Sequence, residues 1–141
     1  MSDVFAGQGS CLCGAVGFSA ENAAKNLGAC HCGMCRKWGG GPAMMVPCAD
    51  AVSFSGDENI GVFASSEWAE RGFCTSCGSH LFYRVRETRE HYIPAGLFDD
   101  QDQFSFAEQV CIEQKPAFYA FANDTKTMTQ DQLFEQASPD E

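Results

Sequence analysis

Basic side chains are scarce. Nine Lys and Arg stand against 19 Asp and Glu, for a formal charge of −10. So acidic a chain lacks the electrostatic footprint of a nucleic-acid binder, and it has no basic stretch to draw it to an anionic membrane. Its apolar runs fall far short of the roughly 20 residues a transmembrane helix needs. The opening Met1-Ser2-Asp3-Val4-Phe5 lacks the basic and apolar regions of a secretion signal. Internal repeats and low-complexity segments are also missing. These absences make a soluble, cytoplasmic protein the expectation, with neither nucleic acid nor membrane among its partners.

What is present is a folding composition rich in turns. Hydrophobic residues make up 45% of the chain, Phe occurs 12 times, and there are 14 Gly and 5 Pro. At 141 residues the chain is expected to form one domain with a real core. Short alternating or apolar runs predict eight or nine strands and little helix. The candidates lie near residues 11–20, 43–46, 52–55, 60–64, 81–85, 92–95 and 110–113. Residues 1–10 read as a leader, 22–28 as a loop or a strand interrupted by turns, 29–37 as a compact knuckle and 99–106 as an acidic loop. Pro94 implies a strand end or a sheet edge. A helical turn is expected near 130–136, and a disordered acidic tail after it. The Phe-rich composition also allows an apolar patch and a homodimer.

The nine cysteines are the strongest signal. Their number is odd and their spacing tight, which in a reducing compartment reads as metal ligation; a secreted disulfide scaffold is the alternative. Cys11 and Cys13 are one residue apart, so in an extended chain both thiols point the same way. Gly14 after them is expected to relieve crowding. Cys74 and Cys77, followed by Gly78, form a C-x-x-C-G knuckle whose amides can donate to sulfur. Together the two pairs offer four thiolates to a closed, structural zinc.

Cys30, Cys32 and Cys35 form a second, local constellation. Three thiols within six residues can wrap one face of an ion but do not supply a fourth ligand of their own. His31, between two ligands, is expected to point away from the metal. Three ligands and a vacancy is the form of a catalytic zinc site. If Cys48, Cys111 or His80 fills the fourth position, the site is structural instead. An iron–sulfur cluster is a third reading. Cys48 and Cys111 otherwise read as small buried apolar residues.

Three segments, GSCLCGAV (9–16), CHCGMCRKWGG (30–40) and SSEWAERGFCTSCGSHLFY (65–83), occur in an order that resembles the glutathione-dependent formaldehyde-activating, or centromere protein V, domain family. The resemblance spans roughly residues 9–118. It implies a mainly β fold, a β-tent of short antiparallel sheets related to zinc ribbons. It implies two zinc ions, a structural one on Cys11, Cys13, Cys74 and Cys77 and a catalytic one on Cys30, Cys32 and Cys35, where a thiol such as glutathione approaches. Against the family pattern, Gln109 stands at a histidine position, Lys115 is kept, Phe118 replaces a tryptophan, and residues 96–100 match only loosely.

The implied activity is that of a carbon–sulfur lyase or synthase, joining glutathione to formaldehyde as S-(hydroxymethyl)glutathione. Glutathione is anionic, as is this chain, so local cations must hold its carboxylates. Arg36, Lys37 and Arg71 are the candidates, with a solvated surface charge as the plainer role for each. Trp38 is expected to wall the pocket or to lie in the core, and Ser65 and Ser66 to serve the site or cap a turn. A related thiol-dependent zinc enzyme with another electrophile, and a non-catalytic zinc-binding interaction module, are the alternatives.

Overall fold

The computed structural model describes residues 3–137 and is mainly β. Strands β1 (Val4–Ser10), β2 (Gly17–Ala24) and β5 (Val52–Ser55) form a small antiparallel sheet in the order β1-β2-β5. The larger sheet runs β11-β10-β3-β4-β9-β8-β7-β6. Its members are β3 (Asn26–Cys30), β4 (Ala43–Pro47), β6 (Ile60–Phe63), β7 (Ala69–Cys74), β8 (His80–Val85), β9 (His91–Pro94), β10 (Ser105–Val110) and β11 (Lys126–Thr127). Two helices complete the elements used below, α1 (Gly33–Gly39) and α2 (Gln130–Ala137). The acidic end beyond residue 137 lies outside the described residues. Among these, no helix is long and apolar enough to cross a membrane.

Alternation builds the core. Phe18 and Ala20 on β2, Leu81 and Phe82 on β8, and Ile93 on β9 meet Val16, Val46 and Phe98 in one buried cluster. Each such large side chain, fully buried, contributes about 1.5–3 kcal/mol. Phe98 meets Phe18 and Phe104 edge-to-face, with ring centroids 5.0 and 5.1 Å apart, a favoured aromatic geometry.

Several expectations change. Residues 4–10 form a strand, because β2 supplies an antiparallel partner that pairs Val4 with Ala24 and Ser10 with Gly17. A Cβ at Gly9 would meet the Leu97 carbonyl oxygen at 1.9 Å, so only glycine permits that close crossing. For 22–28 the interrupted strand is the expectation that holds: β2 runs to Ala24 and β3 begins at Asn26, with a bend at Lys25 between them. The larger sheet is not wholly antiparallel: β10 runs parallel to both β3 and β11. The chain returns there by a long crossover, and nothing local in the sequence fixes its direction. Of the two roles expected for Pro94, the strand end is the one found: it closes β9, which lies between β4 and β8 and not at a sheet edge. The knuckle continues into α1, whose N-cap is Cys32 and whose C-cap Gly40 is left-handed.

Candidate metal centres

The thiols of Cys11, Cys13, Cys74 and Cys77 all lie within 4.8 Å of one another. Cys11 and Cys13 follow β1, while Cys74 ends β7 and Cys77 sits in the turn to β8. Cys13 Sγ is 3.7 Å from Cys11 Sγ and 3.8 Å from Cys74 Sγ. A tetrahedral zinc with bonds of about 2.3 Å has sulfur–sulfur edges of roughly 3.8 Å, so this donor set fits zinc without rearrangement. Val16 N–H donates to Cys11 Sγ at 3.4 Å. Ser79 is within 3.2 Å of Cys77 Sγ and accepts from Leu12 N–H at 3.1 Å, which stitches the two cysteine pairs together. The Ser79 hydroxyl, then its backbone, lowers the Cys77 thiol to about 5, favouring the thiolate a metal requires. Gly14 and Gly78 have φ of +82° and +81°, with nothing within 4 Å of an added Cβ. Backbone conformation, not crowding at the metal, is therefore why glycine stands at both positions.

Cys30, Cys32 and Cys35 likewise place their thiols within 4.8 Å of one another. Cys30 ends β3, Cys32 caps α1, and Cys35 lies buried in its first turn. Cys35 N–H donates to Cys32 Sγ at 3.3 Å. The Cys111 thiol, then those of Cys30 and Cys35, lower the pKa of Cys32, while Cys30 and Cys35 are raised chiefly by neighbouring thiols. Such a group loses one proton readily and resists losing more until a cation replaces them. His31 is fully buried and turned away, with Nε2 2.8 Å from Gln109 Oε1 and Nδ1 2.7 Å from the Tyr119 hydroxyl.

Of the three candidates for a fourth ligand, Cys48 is fully buried, and its thiol donates to the Val46 carbonyl. Burial pushes it up to about 12, and it belongs to neither group of converging thiols. His80 stacks on Trp38, centroids 3.8 Å apart at 8°. Cys111 is 4% exposed and has φ of +55°; the Cys30 and Cys32 thiols influence its ionisation, yet it is not among the three thiols that lie within 4.8 Å of one another. The neighbouring Val110 pairs with Cys30 across β10 and β3, which brings it there.

Two cavities flank α1. One of about 370 Å³ is lined by Cys35, Trp38, Met44, Met45, His80 and Leu97 among others. The second, about 220 Å³, is lined by Gly33, Arg36, Lys37, Gly40, Gly41, Phe118 and Tyr119. Arg36 also donates through Nε to the His31 carbonyl at 2.9 Å. Arg71 lines neither cavity. It is 4% exposed, and both terminal nitrogens point at Cys35 Sγ from 3.7 Å. Sequence reasoning therefore brought Arg71 to the right centre in the role of a carboxylate clamp, whereas its buried guanidinium faces a ligand sulfur. It gave no function to Tyr119, Met44 or Met45. Only the kept Lys115, whose Nζ donates to the Tyr119 carbonyl and to Pro116 O at 3.0 Å, hinted at the strap that holds Tyr119. Ser66 Oγ accepts from Ala69 N–H as a turn residue.

The model of the family described as glutathione-dependent formaldehyde-activating enzyme matches residues 6–114. An uncharacterized lyase of Schizosaccharomyces pombe is 40% identical over 127 residues, covering 89% of this chain and 93% of that protein. A crystal structure of a Rhodobacter sphaeroides protein superposes with a TM-score of 0.57 at 24% identity, covering 70% of this chain and 96% of that one. That last likeness speaks to the fold alone.

Proposed function

This chain belongs to the glutathione-dependent formaldehyde-activating enzyme family, and from that premise we propose that it is a zinc-dependent carbon–sulfur lyase or synthase acting on glutathione and formaldehyde. The observation that carries the reading is the convergence of three thiols, Cys30, Cys32 and Cys35, beside a cavity that Cys35 itself lines. The other cluster brings four thiols together and takes the structural role.

In this reading Cys30, Cys32 and Cys35 hold the second zinc and Cys11, Cys13, Cys74 and Cys77 the first. Zinc, when bound, supplies charge that keeps an incoming thiol deprotonated near neutral pH. Arg36 and Lys37, sharing the smaller cavity with Phe118 and Tyr119, are the residues we assign to the glutathione carboxylates. The sulfur–carbon bond forms as the carbonyl π pair moves to oxygen, and the proton given up by the thiol ends on that oxygen. Holding the two reactants together is the main task, because the uncatalysed addition is already facile.

Exchange NMR of glutathione with formaldehyde tests the proposal. Zinc-loaded protein should accelerate exchange, and Cys32→Ser should abolish the acceleration. Identical rates with wild type, variant and buffer would reject it.

Cys111, near this centre but not among the three thiols that lie within 4.8 Å of one another, motivates a second reading, a closed four-thiol site serving as a non-catalytic module. X-ray absorption of the zinc-loaded protein separates the two. Four sulfurs around both ions, unchanged by excess glutathione, select the closed site. A mean below four that rises on adding glutathione selects the open one.

A further inference from the structure

Arg71 is a buried cation without a carboxylate. Among the described residues the ion pairs are those of Arg84 and Arg89 with Glu70, and Arg71 takes no part in them. It leaves β7 between two rings, its guanidinium carbon 4.9 Å from the Trp38 centroid and 5.1 Å from that of Tyr83. Its Nε has no hydrogen-bond partner among the described residues. Both Nη atoms are directed at one acceptor, Cys35 Sγ.

A guanidinium taken out of water needs an anion beside it, and leaving it unmatched is strongly destabilising. Aromatic faces repay part of that cost. A neutral thiol is a weak acceptor, whereas a thiolate supplies both the charge and the lone pairs. The orientation of Arg71 therefore matches a centre in which Cys35 is ionised, as it is when it ligates a metal.

We propose that Arg71 is a positioning residue of the second metal centre: it balances the charge of the Cys35 thiolate and holds that sulfur as a spectator ligand, leaving an incoming thiol as the nucleophile. The proposal rests on reading Cys30, Cys32 and Cys35 as a metal–thiolate site, and it is independent of which thiol or aldehyde is the substrate. Three thiolates around a dication carry −1, and a fourth brings the centre to −2. Several sulfurs then compete as nucleophiles. Two N–H donors draw lone-pair density from Cys35, while among the described residues no guanidinium or ammonium is hydrogen-bonded to Cys30 or Cys32. An Arg serves here where a Lys would not, because its planar fork can aim two donors at one sulfur while stacking between two rings.

The test uses the full chain loaded with cadmium-113, without glutathione or aldehyde. Iodoacetamide alkylation is followed by peptide mapping in wild type, Arg71→Lys and Arg71→Met, and the metal resonances are recorded by NMR. In wild type Cys35 should react most slowly of its three. In Arg71→Met its rate relative to Cys32 should rise about tenfold, the weight of one charge-assisted hydrogen bond. The resonance of the second site should move while that of the Cys11–Cys77 site stays. Arg71→Lys should fall between. An unchanged Cys35 rate and an unmoved second resonance in Arg71→Met overturn the proposal. If that variant does not fold, Arg71→Lys decides by the same two readouts. A protein that takes up one cadmium ion alone removes the premise and overturns this proposal together with the catalytic reading. Failure of the formaldehyde exchange experiment leaves the alkylation pattern standing.

Discussion

Single residues set the pH dependence of this fold. His91 is 4% exposed and packs against Phe54 and Phe82, with centroids 5.8 and 5.4 Å away. Burial, then the positive charge of Arg84, hold its pKa down from 6.5 to about 4. The folded protein thus keeps a neutral ring that the unfolded chain protonates sooner. The resulting stability is complete above about pH 6.5 and is lost as the pH falls toward 4, a change of about 3 kcal/mol. Denaturant titrations of His91→Phe should show less acid sensitivity than wild type by that amount; an equal pH dependence in both proteins would reject the assignment. Metal loss in acid affects both proteins and cancels in the comparison. Cys48, by contrast, is not among the converging thiols of either group. Cys48→Ala should retain wild-type metal content by elemental analysis, and a loss of one ion would show that Cys48 ligates after all.

At the scale of elements, the site depends on strand contacts that bring distant segments together. On β7, a Cβ at Gly72 would meet the Phe82 ring at 2.3 Å, and Phe82 is 1% exposed. Gly72→Ala should therefore cost about 1–3 kcal/mol by overpacking, read from the unfolding midpoint, and an unshifted midpoint would mean that the ring yields freely. On β10, Gln109 joins His31 to Thr125, its Nε2 donating to Oγ1 at 2.9 Å. Gln109→Ala leaves the buried His31 Nε2 without its partner. The expected loss is about 1–3 kcal/mol, and KM for glutathione should rise with both metals retained, since the strap carrying Tyr119 loosens beside the Arg36 cavity. A KM held at the wild-type value would separate that strap from substrate binding.

Across the whole molecule, the four-thiol cluster clips the end of the small sheet to the turn between β7 and β8 of the large one. A metal held by these four thiols would close a loop from residue 14 to residue 73 and so restrict the unfolded chain. Cys74→Ser should lower Tm severely or prevent folding. Cys32→Ser should leave Tm near that of wild type and abolish the exchange activity. Thermal scans of the two variants beside the chelated wild type check this asymmetry. Equal losses in both variants would mean that the second centre, too, is structural.

The cysteine spacing was enough to mark out the groups of thiols that converge, because a C-x-C strand end, a C-x-x-C-G turn and a C-x-C-x-x-C run each fix thiol geometry locally; the meeting of Cys11 and Cys13 with Cys74 and Cys77 took the fold. Most short strands were legible for the same reason, their alternation being a property of adjacent residues. Other features were decided only by distant contacts. Residues 4–10 became a strand because β2 offered a partner, and β10 ran parallel because of where a crossover delivered it. That crossover set Cys111 against Cys30 and Cys32, and β7 buried Arg71 under Cys35. The thiol pairs and the thiol triplet are written in neighbours along the chain, whereas their assembly, charge and access depend on which remote side chains the fold brings to them.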